Sequence, residues 1–162
     1  MKTRLWHTDK LVLKFSKPLT IGNSLSDYLT EGPRSIAFKP DDENIFLVGS
    51  EEGRIYLATA EFATEFLMQY QAHSTPINTV TWNSHHSSVF ISCATEYCVN
   101  IWHKDYSNPL MTYDLGSQVG DVAWAPYSST VFAAVTLDGR VVIFDLSINK
   151  YNPIFNQVTL EW

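Results

Sequence analysis

The chain has 162 residues and a net charge of −6, and 45% of its residues are hydrophobic while only 17% are charged. This balance excludes a disordered segment and favours a domain with a buried core, and the acidic excess argues against general nucleic-acid binding. Two cysteines are too few for a disulfide scaffold, no secretory leader is evident, and every apolar run is too short to cross a membrane, so we expect a soluble protein of the cytoplasm.

The first 30 residues contain two short apolar runs, at 11–15 and 19–21, followed by a polar stretch at 23–32. The two runs predict short strands, and the polar stretch predicts a connector.

Three repeating units follow this region. Phe38, Trp82 and Trp124 occupy equivalent positions and lie 44 and 42 residues apart, within the period of roughly 40–45 residues that is typical of β-propeller blades. In each unit a short strand ends at the aromatic residue, and a continuously apolar strand, a tight acidic turn and two further strands follow.

The repeat predicts an all-β fold, a partial propeller of three four-stranded blades after an incomplete N-terminal blade. The predicted segments are an incomplete blade with its connector, three blades and a non-matching tail: 1–30, 31–73, 74–116, 117–157 and 158–162. Because repeated positions are typical of a core, we expect eight recurring aromatic residues to be buried: Phe38, Phe46, Trp82, Phe90, Trp102, Trp124, Phe132 and Phe144.

These units resemble the WD-repeat family, whose blades end on a Trp-Asp pair and follow a Gly-His pair. The first pair corresponds to Trp102-His103 and Phe144-Asp145, and the second corresponds to Ala72-His73. The stretches 46–56, 120–135 and 143–151 resemble, more specifically, the intermediate chains of the axonemal outer dynein arm.

This resemblance implies a non-catalytic scaffold that helps attach and assemble dynein heavy chains for ciliary and flagellar movement. It implies a dynein heavy chain and a second intermediate chain as partners, and a location in the cytoplasm, the cytoskeleton and the ciliary axoneme. The N-terminal segments that bind light chains in this family have no counterpart here, so we expect no light-chain site. The alternative is a generic WD-repeat adaptor of another intracellular complex.

The resemblance also implies a structural hydrogen-bond network within the blades. Its matching positions in the second unit are His73, Ser92, Glu96 and Trp102, and the third unit carries Asp138 and Asp145 at related positions.

A hydrolase that uses Ser92, His73 and Asp138 is the enzymatic alternative. It is disfavoured because Ser92 lies inside an apolar strand without a nucleophile elbow, and because Asp138 belongs to another unit. A zinc site at Cys93 and Cys98 is also disfavoured, since no second close pair of ligands follows. We therefore expect no catalytic residue, metal or cofactor.

Residues that differ between the units are the better candidates for a partner surface, because packing does not require them. The candidates are an acidic turn, Asp41, Asp42 and Glu43, and two tyrosines in turns, Tyr97 and Tyr127. Seven blades would need about 300 residues, so we expect the chain to be a fragment or truncated form whose ring of blades does not close.

Overall fold

The computed structural model describes residues 32–60 and 66–158, and the statements below concern these residues. They form twelve strands in three separate four-stranded antiparallel sheets, which confirms the predicted all-β architecture. The strands predicted within the first 30 residues lie outside the described residues.

Each sheet is built from consecutive strands, and we call the three sheets blades 1, 2 and 3. Blade 1 has the order β1-β2-β3-β4, with bounds Pro33–Lys39, Asp42–Ser50, Arg54–Thr59 and Phe66–Gln71. Blade 2 has the order β5-β6-β7-β8, with bounds Ile77–Trp82, Val89–Ala94, Cys98–His103 and Met111–Asp114. Blade 3 has the order β9-β10-β11-β12, with bounds Val119–Trp124, Val131–Thr136, Arg140–Asp145 and Phe155–Val158.

The tight turns follow the chemistry of their residues. Gly53 and Gly139 have φ values of 78° and 82°, a region that glycine enters without steric cost, and they end the β2–β3 and β10–β11 turns. The first turn is shorter than the polar stretch after Lys39 suggests, because Asp42 already begins β2 and pairs with Lys39.

The core consists of two apolar layers between adjacent blades. One layer joins blade 1 to blade 2 and includes Leu47, Ile55 and Phe90, whereas the other joins blade 2 to blade 3 and includes Ile91 and Phe132. Phe90 and Ile91 are neighbours on β6 and point to opposite faces, so blade 2 is covered on both sides. This explains why its central strand is continuously apolar rather than alternating.

Hydrogen bonds between the first strands of neighbouring blades set the order of stacking. The Val80 amide donates to Ser35 Oγ at 3.1 Å, and the Trp82 indole N–H donates to the Ala37 carbonyl at 3.1 Å. One blade further on, Asn78 Nδ2 donates to the Val119 carbonyl at 2.8 Å.

The expectation of eight buried aromatic residues holds for six of them and is wrong for Phe38. Phe38 is 45% exposed, although Phe46 beside it is fully buried, and Trp124 is only partly buried. Trp82, the equivalent of both, is buried because it lies between two described blades. No helix in the described part of the chain is long and apolar enough to cross a membrane.

Candidate functional site

The predicted network residues of the second unit meet in one buried hydrogen-bonded cluster, which we call the blade 2 network: His73, Ser92, Glu96 and Trp102. Ser92 lies on β6 and Trp102 on β7, and the register Phe90↔Trp102 places them diagonally across the pair. His73 lies in the link between blades 1 and 2, and Glu96 lies in the β6–β7 turn. Ser92 and Trp102 are 0% and 1% exposed.

Hydrogen bonds connect the four side chains of the network in sequence, from Trp102 to Glu96. The Trp102 indole Nε1–H donates to Ser92 Oγ at 3.0 Å, and Ser92 Oγ lies 2.8 Å from His73 Nε2. His73 Nδ1 lies 2.5 Å from Glu96 Oε1, and Ser74 Oγ donates to the other carboxylate oxygen at 2.8 Å.

The chemistry of these groups fixes the direction of each hydrogen bond. Ionised Glu96 only accepts, so His73 Nδ1 must carry a proton and donate it. Nε2 of the neutral ring is then an acceptor, and the Ser92 hydroxyl donates to it while accepting from Trp102. Each donor in this network has an acceptor, which is the condition under which a buried polar network stabilises a fold.

The titration of both ionisable members agrees with this arrangement. Burial lowers the pKa of His73, an effect that outweighs the nearby Glu96 carboxylate and favours the neutral ring. Partial burial raises the pKa of Glu96, but the hydrogen bonds from His73 and Ser74 outweigh it, so the net shift is downward.

The geometry is structural rather than nucleophilic. Ser92 and His73 are as close as a nucleophile and its base, yet Ser92 is fully buried and also holds Trp102, so no substrate carbonyl can reach it. Asp138 lies in another blade and bonds to Thr136 and Arg140 instead.

Backbone contacts tie the network to blade 1. The His73 amide donates to the Gly53 carbonyl at 2.9 Å, and Asn100 Nδ2 donates to the Ala72 carbonyl at 2.9 Å. A Cβ on Gly53 would lie 2.3 Å from the His73 carbonyl oxygen, so the two segments approach as closely as glycine permits.

Asp138 and Asp145 lie apart from the blade 2 network. Asp138 is exposed in the β10–β11 turn, and the hydrogen bonds from Thr136 and then Arg140 lower its pKa. Asp145 accepts from the Ser147 amide and hydroxyl at 2.9 and 2.6 Å, and so closes the turn after β11.

The candidate partner residues lie in different turns. Asp41 is exposed, and the hydrogen bond from Lys39 is the main cause of its lowered pKa. Asp42 begins β2 and accepts from the Asn44 amide at 3.0 Å, while Glu43 is exposed. Tyr97 and Tyr127, at 54% and 79% exposure, belong to blades 2 and 3, so the structure does not bring these candidates into one cluster.

Sequence reasoning missed a second repeated contact. Tyr70 on β4 donates its hydroxyl to the Lys104 carbonyl at 2.5 Å, and Tyr113 on β8 donates to the Lys150 carbonyl at 2.8 Å. Each bond joins the last strand of one blade to the loop before the last strand of the next. The recurrence of tyrosine after 43 residues was the available signal.

The two cysteines are free thiols on either side of the β6–β7 turn. Burial raises the pKa of Cys93 to about 12, and burial also raises the pKa of Cys98. Neither thiol is therefore activated as a nucleophile. Among the described residues, no group of three or more His, Cys, Asp or Glu side chains is arranged to hold a metal ion.

Comparison with known proteins agrees with this geometry. Residues 64–103 match the model of the WD domain, G-beta repeat. The chain is 50% identical over 125 residues, 76% of its length, to dynein intermediate chain 2, ciliary, of Heliocidaris crassispina. It is 45% identical over 158 residues, 97% of its length, to dynein axonemal intermediate chain 1 of Bos taurus. The chain is a homologue of the axonemal dynein intermediate chains.

A third relative is the 78 kDa intermediate chain of the flagellar outer arm of Chlamydomonas reinhardtii, 41% identical over 125 residues, or 75% of this chain. These alignments cover 18%, 22% and 18% of the relatives, so the chain spans about a fifth of the length of the intermediate chains it matches. The WD-domain match contains the whole blade 2 network, from His73 to Trp102.

Proposed function

We propose that this intermediate-chain homologue is a non-catalytic scaffold of axonemal dynein, which helps attach and assemble dynein heavy chains in the outer arm for ciliary and flagellar movement. The observation that carries the proposal is an identity of 41–50% to axonemal dynein intermediate chains over three quarters or more of the chain. The partners are a dynein heavy chain and a second intermediate chain, met in the cytoplasm and in the ciliary axoneme.

The mechanism is the rigid presentation of turns. Stacked blades with apolar layers between them move little relative to each other, and the turns that join their strands are free to differ. Tyr97 and Tyr127 expose large amphipathic rings in two such turns, and the acidic turn at Asp41 adds charge on blade 1.

Affinity purification from axonemes tests the proposal. An epitope-tagged full chain is expressed in ciliated cells, axonemes are isolated and extracted with salt, and the proteins that co-purify are identified by mass spectrometry. We expect a dynein heavy chain and a second intermediate chain. Absence of heavy chain, together with diffuse or nuclear immunofluorescence of the tagged chain, would favour a WD-repeat adaptor of another complex.

Matched tyrosine variants sharpen the test. Tyr97→Ser and Tyr127→Ser should each reduce the recovery of heavy chain if these turns contact it. Tyr106→Ser is the control, because Tyr106 is 58% exposed on the same blade as Tyr97 but is not a predicted contact. Equal loss in all three variants would assign the effect to general surface change rather than to the proposed turns.

A further inference from the structure

The outer rim between blades 2 and 3 contains a cleft of about 430 Å³. One wall is the last strand of blade 2, β8, with the residues immediately before and after it, so that 110–115 all line the cleft. The opposite wall is the loop 150–153 before β12, together with Asn156 on β12. The cleft therefore follows the whole length of one strand.

β8 is an edge strand. In the order β5-β6-β7-β8 it pairs only with β7, and no strand of the described residues pairs with its outer side. An open strand edge offers backbone N–H and C=O groups to an added strand, and this is how several domains bind extended peptides.

The cleft has a rigid apolar floor. Tyr113 is buried on β8, and its ring packs against Phe144 with centroids 4.6 Å apart. Its hydroxyl holds the opposite wall through the Lys150 carbonyl at 2.8 Å, and Val142 lies beside Phe144 in the same lining. A preformed floor of this kind lowers the cost of ordering a bound side chain.

The charges of the cleft favour an acidic ligand on one side. Asp114, on the β8 wall, keeps its negative charge although its carboxylate accepts from the Gly116 amide at 2.8 Å, so an acidic group is favoured only at the opposite wall, beside Lys150. Lys150 has no ion-pair partner among the residues that the structure describes. Its counterpart in the preceding blade pair differs, since Lys104 Nζ lies 2.7 Å from Asp105 Oδ1.

We propose that this cleft is a docking groove for an extended peptide segment of a partner protein. The segment adds to the free edge of β8 as a fifth strand of blade 2, places an apolar side chain over Tyr113 and Phe144, and sets a carboxylate two residues away, on the same face of the strand, on Lys150. The groove stands on the edge strand, the floor and the lysine, and is independent of the assembly in which the chain works.

Selection from a random peptide library tests the groove. A phage-displayed library of nonapeptides is panned against the immobilised full chain, and the enriched peptides are made with fluorescein for anisotropy titration. We expect peptides with an apolar residue two positions from an Asp or Glu, so that both side chains lie on one face of the added strand. Lys150→Glu should weaken their binding about tenfold or more, whereas the matched control Lys104→Glu should change it by less than about twofold.

Backbone chemistry separates strand addition from side-chain binding alone. An enriched peptide with N-methyl groups on alternate amides should lose affinity in one of its two registers by about tenfold or more, because methylation removes the donors that pair with a strand edge. Circular dichroism checks that each variant is folded, and Lys150→Met serves if Lys150→Glu is not. No enriched peptide, equal binding to the Lys150 and Lys104 variants, or full binding in both methylated registers would each overturn the proposal.

Discussion

Removal of one hydroxyl tests whether the blade 2 network stabilises the fold. Ser92→Ala leaves the Trp102 indole N–H and His73 Nε2 without their partner in a site where Ser92 is 0% exposed. A buried group that loses its hydrogen bond costs about 1–3 kcal/mol, so the two together predict a loss of about 2–6 kcal/mol. Since domains are typically stable by about 5–15 kcal/mol, this is a large share of the total.

Urea unfolding followed by tryptophan fluorescence measures this loss. The control is Ser107→Ala, an exposed serine of the same blade, for which we expect a change of about 0.5 kcal/mol or less. The double variant Ser92→Ala/Trp102→Phe should lose less free energy of unfolding than the sum of the two single variants, because the unpaired indole N–H is then absent. A loss for Ser92→Ala that equals that of the Ser107 control, or full additivity, would refute the reasoning.

Three further predictions concern turns and titration. Gly53→Ala should destabilise by about 3 kcal/mol or more in urea unfolding, because its Cβ meets the His73 carbonyl, whereas Gly116→Ala, also at positive φ but in open space, should cost about 1 kcal/mol. Asp138→Ala should lower the urea midpoint only slightly, because the carboxylate is exposed to solvent although it accepts hydrogen bonds from Thr136 and Arg140. The pKa of His73 is lowered on folding, so the unfolded chain takes up a proton first as the pH falls through 6.5, and the free energy of unfolding should decrease below that pH. His73→Gln should make the free energy of unfolding less dependent on pH. An unchanged urea midpoint between about pH 7.5 and about pH 5.5 would contradict this prediction.

The sequence predicted the elements that repetition controls. Strand order follows from local hairpins, and a period near 42 residues identifies them even where single residues vary. The second strand of each unit is apolar, which predicts a layer covered on both faces; this is confirmed for β2 and β6, whereas β10 alternates and its Val135 is 41% exposed. Membership of Ser92 and Trp102 in one cluster followed from the family resemblance, not from spacing.

Other features depend on tertiary contacts that repetition does not encode. Phe38 aligns with Trp82, but its exposure depends on what lies beyond blade 1 rather than on its own strand. Glu96 stands where the family has an aspartate, and its longer side chain still reaches His73 Nδ1, at 2.5 Å. The Tyr113 hydroxyl joins two blades through the Lys150 carbonyl. The only sequence signal of this contact is that a tyrosine recurs at the equivalent position of the two units.

Equivalent positions of blades 2 and 3 carry chemically different side chains. At the positions of Ser92 and Trp102, blade 3 carries Ala134 and Phe144.

The aromatic stacking is nevertheless retained. Phe90 and Trp102 lie 8° from parallel, and Phe132 and Phe144 lie 9° from parallel. Where the hydroxyl is absent, the indole N–H that donates to it is absent too, so Phe144 leaves no donor unpaired at this position. The stacked pair is therefore common to both blades, and the Ser92 hydroxyl and the Trp102 indole N–H depend on each other, which is why Ser92→Ala should cost less once Trp102 is replaced by phenylalanine.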